Sequence, residues 1–170
     1  MTTTINASTS SGLVVTPDNS GNILLQYNGQ SAPAFSVYLN GNQTISSASA
    51  TKIQFNTEEF DTNNNFDSTT NYRFTPTVAG YYQLSAAFVP NYTTMTRTII
   101  HLYKNGSQYK RLFDTNGETG LLVSGSVLAY ANGSTDYFEI WGYIAGTGTI
   151  QFNGGNSQYT WFTGCLLRGA

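Results

Sequence analysis

The chain has 170 residues, a formal net charge of −2 and only 9% charged side chains, so it has the length of one domain, and Asn, Thr, Ser, Gln and Tyr, not ions, keep it in water. This balance offers no electrostatic footprint for nucleic acid or an anionic membrane, and neither is expected as a partner. No run of about 18 apolar residues could cross a bilayer, and the opening MTTTINASTSSGLVV lacks a basic segment followed by an apolar one.

Residues 1–32 are rich in Thr, Ser and Asn, and within them LVVT and ILLQ flank PDNSGN, which reads as one β-hairpin. A lone hairpin is marginal in water, so this one must dock. It is either an attachment arm, with Leu13, Val14, Val15, Ile23, Leu24 and Leu25 as the gripping residues, or a strand pair packed on its own domain. From Pro33 onward β-rich runs follow at short intervals: AFSVYL, KIQF, YRF, GYYQLSAAF, RTIIHLYK, QYKRLF, LLVSGSVLAY, DYFEIWGYIA and YTWFTGCLL. Asn-Gly pairs recur at Asn28, Asn40, Asn105, Asn116, Asn132 and Asn153, and each can supply the positive φ angles of a tight turn. No amphipathic helix is legible. The fold class is all-β and antiparallel, a sandwich or barrel.

Two runs are apolar on both faces. Trp161, Thr163, Cys165 and Leu167 alternate with Phe162, Gly164 and Leu166, and Val123, Gly125, Val127 and Ala129 alternate with positions that include Leu122, Leu128 and Tyr130. A sandwich of this size has one inter-sheet core, so the second face requires another cover. A second copy of the chain is the economical one. Cys165 has no intrachain partner and, within FTGCLL, reads as a buried, unreactive small hydrophobe.

The spacing Phe55, Asp61, Phe66, Phe74, Gly80, Tyr82, with Pro76 between, resembles the signature of the complement C1q globular-head family, which shares its jelly roll with the tumour-necrosis-factor ligands. The ending Phe162-Thr-Gly-Cys-Leu-Leu167 is similar to that family's last strand. Here one extra residue separates Phe66 from Phe74, and Leu84 stands where an aromatic is usual. The resemblance, over roughly residues 33–170, implies an antiparallel ten-stranded jelly-roll sandwich that assembles as a homotrimer. Tyr82, Leu84, Ala86 and Phe88 are then expected in the core, with Tyr81, Gln83, Ser85 and Ala87 toward the threefold axis. Matching strand by strand places Val123, Val127, Phe162 and Leu166 on the axial face with Tyr81 and Gln83 as the trimer interface.

Chemistry-bearing constellations are thin. DTNNNF from Asp61 begins like a calcium loop but has Phe66 and Tyr72 where the glycine and closing glutamate belong. Its Asx side chains are expected to satisfy turn backbones. Glu58, Glu59 and Asp61 imitate a glycosidase pair but read as solvated loop carboxylates, and His101, the one histidine, reads as a strand residue. No catalytic residue, metal or cofactor is expected. Tyr92, Tyr109, Tyr143 and Tyr159 could contact glycans or simply line strands.

Residues 2–29, TTTINASTSSGLVVTPDNSGNILLQYNG, resemble the beginning of many tailed-bacteriophage virion proteins. That resemblance implies a virion location, with the arm bound to the major capsid protein or another virion protein. The leading expectation is a capsid decoration or cement knob, and the runner-up is a tail-fibre or spike head that binds a host surface glycan. The absence of shaft repeats before Ala34 favours decoration.

Overall fold

The computed structural model describes residues 26–27, 30–117 and 122–170. Their strands, in chain order, are β1 (Gln26–Tyr27), β2 (Gln30–Ser31), β3 (Ala34–Tyr38), β4 (Gln43–Thr44), β5 (Thr51–Lys52), β6 (Thr57–Asp61), β7 (Phe66–Asp67) and β8 (Arg73–Phe74). They continue with β9 (Gly80–Phe88), β10 (Pro90–Asn91), β11 (Thr94–Lys104), β12 (Ser107–Asn116), β13 (Val123–Ala131), β14 (Phe138–Thr147), β15 (Gln151–Phe152) and β16 (Trp161–Gly169). Every strand pair among the described residues is antiparallel. No described residue is helical. The all-β antiparallel sandwich expected from the turn spacing is what the described residues form, with several two-residue strands beside the longer ones.

Two sheets face each other. One has the order β13-β9-β16-β3-β6, the other β12-β11-β14-β8-β7 with β5 also on β14, and a small sheet β10-β15-β4 closes one end. Turn chemistry written in the sequence sets part of this. Asn105 (φ 54°) and Gly106 (φ 76°) join β11 to β12 as a two-residue turn with both central residues left-handed, which is why Asn-Gly serves there. At Asn132 the side chain does the work instead: its Oδ1 accepts from the N–H groups of Ser134, Thr135 and Asp136. Of the LVVT/ILLQ hairpin only Gln26, which pairs with Ser31, is described, and the attachment residues Leu13, Val14, Val15, Ile23, Leu24 and Leu25 lie outside the described residues.

The core between the sheets is aromatic. Phe35 stacks on Phe74 with centroids 4.2 Å apart and meets the edge of Phe162 at 4.9 Å, while Phe55 and Phe66 approach Phe162 at 5.9 and 6.1 Å. Full burial of such a side chain contributes roughly 2–3 kcal/mol, and edge and offset contacts add to it. Tyr82 is buried among these rings and its hydroxyl donates to the Val78 carbonyl at 2.7 Å, so no polar atom is left unpaired. Gly125 lets the two sheets approach at one side, because a Cβ there would lie 2.5 Å from the Leu112 carbonyl oxygen of β12.

Tyr82, Leu84, Ala86 and Phe88 point into this core as expected. The assignment of Val123, Val127, Phe162 and Leu166 to the opposite face does not stand. Directly paired residues of antiparallel strands project to the same face, and the register pairs Val123 with Phe88, Val127 with Leu84, Phe162 with Ala86 and Leu166 with Tyr82. Val123 and Phe162 are buried in the core, and Val127 and Leu166 pack against it. Cys165 is also corrected: it pairs with Gln83 on the outer face and is exposed.

Candidate functional site

The outer face of the five-stranded sheet is built in rows that cross its strands. The first row is Tyr130–Tyr81–Arg168, then come Leu128–Gln83–Cys165–Ala34, Ser126–Ser85–Thr163–Ser36–Phe60 and Ser124–Ala87–Trp161–Tyr38. The residues paired in the last three rows are uncharged, and the Glu59 carboxylate reaches this face at its β6 edge by accepting from Ser36. Tyr81, Leu128, Tyr130 and Phe60 are each between 41% and 50% exposed, and Tyr81 and Tyr130 lean together with centroids 5.5 Å apart. Ser85, Ser124, Gly125, Ser126 and Trp161 line a shallow hollow of about 220 Å³. Of the six residues expected at an axial interface, the structure places Tyr81 and Gln83 here. Their true neighbours, Leu128, Tyr130, Trp161 and Cys165, belong to the alternate residues of the strands that were assigned the other way round.

The outer face of the six-stranded sheet is different in kind. Across β5, β14, β11 and β12 the register aligns Lys52, Trp141, His101 and Arg111, with Tyr103 beside Glu139 one step along and Ile99 between Tyr143 and Asp114 one step back. Tyr103 stacks on Trp141 with centroids 4.6 Å apart and planes 17° from parallel. Glu139 fixes the indole: its Oε2 accepts from Trp141 Nε1 at 3.1 Å, and its Oε1 accepts from Lys52 Nζ at 2.8 Å. On the other flank Arg97 donates to both oxygens of Asp114 (Nε 3.0 Å, Nη2 2.9 Å), and Arg111 Nη1 donates to the same carboxylate at 2.6 Å. The Arg97 hydrogen bonds, and then the two guanidinium charges, hold the Asp114 carboxyl below its ordinary range. His101 lies under this cluster, 5% exposed, its Nδ1 without a hydrogen-bond partner. Burial, and secondarily the charge of Arg111, push its imidazole below the ordinary histidine range.

The Asn/Asp loop has a structural occupation. Asp61 accepts from the N–H groups of Phe66 (2.6 Å) and Asn63 (3.3 Å). Asp67 accepts from the amides of Thr69, Thr70 and Asn71 and from Asn71 Nδ2. These bonds, led by that of Thr70, hold its carboxyl well below the usual carboxylate range. The extra residue between Phe66 and Phe74 is absorbed here, in a loop that ends with Tyr72 at φ 50° while Phe66 and Phe74 remain paired. Glu58 and Glu59 accept from two different serines, Ser68 and Ser36, so with Asp61 they form no paired acid and base. Among the described residues no three His, Cys, Asp or Glu side chains are grouped to hold a metal ion. Of the tyrosines singled out as glycan candidates, Tyr143 joins the Trp141 face, while Tyr92 packs against the core. Tyr109 and Tyr159 are exposed.

With the geometry in place, comparison with known proteins is decisive for the family: the model of the C1q domain matches residues 34–167. The chain belongs to the C1q domain family. Among solved structures, this C1q domain is similar to the globular domain of zebrafish complement 1qA protein, with a TM-score of 0.57, 22% identity, and coverage of 82% of this chain and 99% of that one. It is similar to murine APRIL (TM-score 0.54, 10% identity, 80% and 99% covered) and to PRD1 vertex protein P5 (TM-score 0.54, 14% identity, 80% and 97% covered). These likenesses show the fold. In sequence, the chain is 34% identical over 110 residues to the uncharacterized protein YqcC of Bacillus subtilis strain 168, a match covering 61% of this chain and 30% of that protein. The chain therefore spans under a third of the length of the curated relative it matches. No helix among the described residues is long and apolar enough to cross a membrane.

Proposed function

We propose that the chain is a non-enzymatic virion structural protein, a homotrimeric C1q-like knob held on the capsid surface through residues 1–32. The observation that carries the trimer is the contrast between the two outer faces. The five-stranded sheet presents rows of Ser, Thr, Leu, Tyr, Trp and Cys, with Arg168 at the Tyr81 end and Glu59 at the β6 edge, whereas the six-stranded sheet concentrates ion pairs on its outside. Charge depletion with aromatic enrichment marks the centre of a protein interface, and a closed threefold arrangement covers the same patch in every copy. The virion placement is supported by the opening segment's resemblance to phage virion proteins, and by the fold shared with PRD1 vertex protein P5. Light scattering coupled to gel filtration tests the trimer, and a stable monomer removes it. Cryo-electron microscopy of intact particles tests the location; density at symmetry-related capsid sites is expected, and its absence there removes the decoration reading.

The runner-up, a receptor-binding head of a tail fibre or spike, is favoured by one observation: the stacked Tyr103–Trp141 pair on an outward sheet. Adhesion of the protein to host cells, with no affinity for bare capsids, would put this reading first.

A further inference from the structure

We infer that the outer face of the six-stranded sheet is a binding site for an acidic saccharide, whose sugar ring lies against the Tyr103–Trp141 pair and whose carboxylate meets Arg111. The site rests on the trimer reading only in that burying the five-stranded face leaves this one outward.

Three observations meet here. First, the ring pair is fixed before any ligand arrives, because Trp141 Nε1 is tied to Glu139, which is tied in turn to Lys52. A preorganised apolar face with polar groups at its margin is what a sugar ring, apolar on one side and hydroxylated at its rim, requires. Second, two guanidiniums share the single carboxylate of Asp114, leaving one positive charge without a partner in a chain that is net negative. Arg97 uses its fork on both oxygens of Asp114, but Arg111 gives only Nη1. The remaining donors of Arg111 are unengaged among the described residues and it is 45% exposed, so it can take a carboxylate in the bidentate geometry that arginine favours. Third, His101, the strand neighbour of both Arg111 and Trp141, lies between them with a buried Nδ1 that nothing in the described chain satisfies. A buried unpartnered nitrogen is a cost that stability alone does not explain. A neutral imidazole in the floor leaves Arg111 to supply the charge. Two strand spacings, about 10 Å, separate the Arg111 and Trp141 backbones, a span that a disaccharide covers.

The test is a printed array of neutral, uronate-bearing and sialate-bearing oligosaccharides probed with the full-length protein, its mass measured on the same sample. Retention on acid-bearing glycans and not on their neutral counterparts is expected, with a fall of at least tenfold for Arg111→Ala, at least tenfold for Trp141→Ala, and weakening as salt is raised. Arg111→Lys should recover only part of the signal, since a lysine cannot form the fork. Circular dichroism of each variant separates lost binding from lost fold, and Tyr143→Phe serves if Trp141→Ala does not fold, with partial loss expected. No retention of any acidic glycan, equal retention of the neutral ones, or retention unchanged in Arg111→Ala and in the aromatic variant would overturn the site. A monomer that still binds acidic glycans would uphold the site while removing the trimer, and a trimer that binds none would do the reverse.

Discussion

Replacing Leu128 by Asp tests the interface at its centre. Leu128 lies between Tyr130 and Ser126 along β13 and across from Gln83, and it is 48% exposed in the single chain. Full burial of a leucine contributes roughly 2 kcal/mol, so covering the remaining half gives about 1 kcal/mol per copy and about 3 kcal/mol per trimer. An introduced carboxylate loses this, and it also enters a row, Gln83–Cys165–Ala34, that holds no cation. Even at about 1 kcal/mol of uncompensated desolvation per copy, at the low end for a polar group left unpaired, the sum reaches about 6 kcal/mol. At about 1.4 kcal/mol per factor of ten, assembly should weaken by about four orders of magnitude. The protomer itself should hardly notice, because the residue touches the outside of the sheet and not the core. Light scattering across a concentration series should show monomers where the parent chain is trimeric, with the far-ultraviolet circular dichroism unchanged. A variant that keeps trimer mass and parental thermal stability would refute the interface, and loss of the β spectrum would show that Leu128 serves the protomer's own packing.

Phe162 gives the opposite result: Phe162→Ala opens a cavity among Phe35, Phe55 and Phe66 and should cost about 3–5 kcal/mol in urea unfolding, while Phe162→Asp should yield no folded protein instead of dissociated subunits. Stability should fall as pH is lowered through about 6.5, since the unfolded chain protonates His101 there while burial and Arg111 depress its pKa in the fold, so that the unfolded state binds more protons. His101→Gln should flatten the melting temperature between pH 7 and 5, and an unchanged slope would place the titration elsewhere. On prolonged incubation at mild alkaline pH, Asn40 should be the first described Asn-Gly site to deamidate. It is exposed, and neither its side chain nor the Gly41 amide is held among the described residues. By contrast Asn105 and Asn132 are bonded through their side chains, and the amides of Gly117 and Gly154 are engaged. Peptide mass spectrometry decides this, and faster loss at Asn105 or Asn132 would contradict it.

The sequence by itself determined the class of fold, because turn chemistry and period-2 alternation are local. Asn105–Gly106 makes its left-handed turn from two residues that need no distant help, and Asp67 caps its loop from amides two to four positions away. It also separated each doubly apolar strand into two sets of side chains, Val123 with Val127 against Leu128 with Tyr130, and Phe162 with Leu166 against Trp161 with Cys165. Which set turns inward was decided only by the tertiary structure. Alternation identifies the two faces without labelling them when both are apolar, and the label comes from register, a pairing between residues dozens of positions apart. For the same reason the Tyr103–Trp141 shelf was not legible. Tyr103 and Trp141 are ordinary strand aromatics in their own segments, and only the pairing of β11 with β14 brings their rings together beside Arg111.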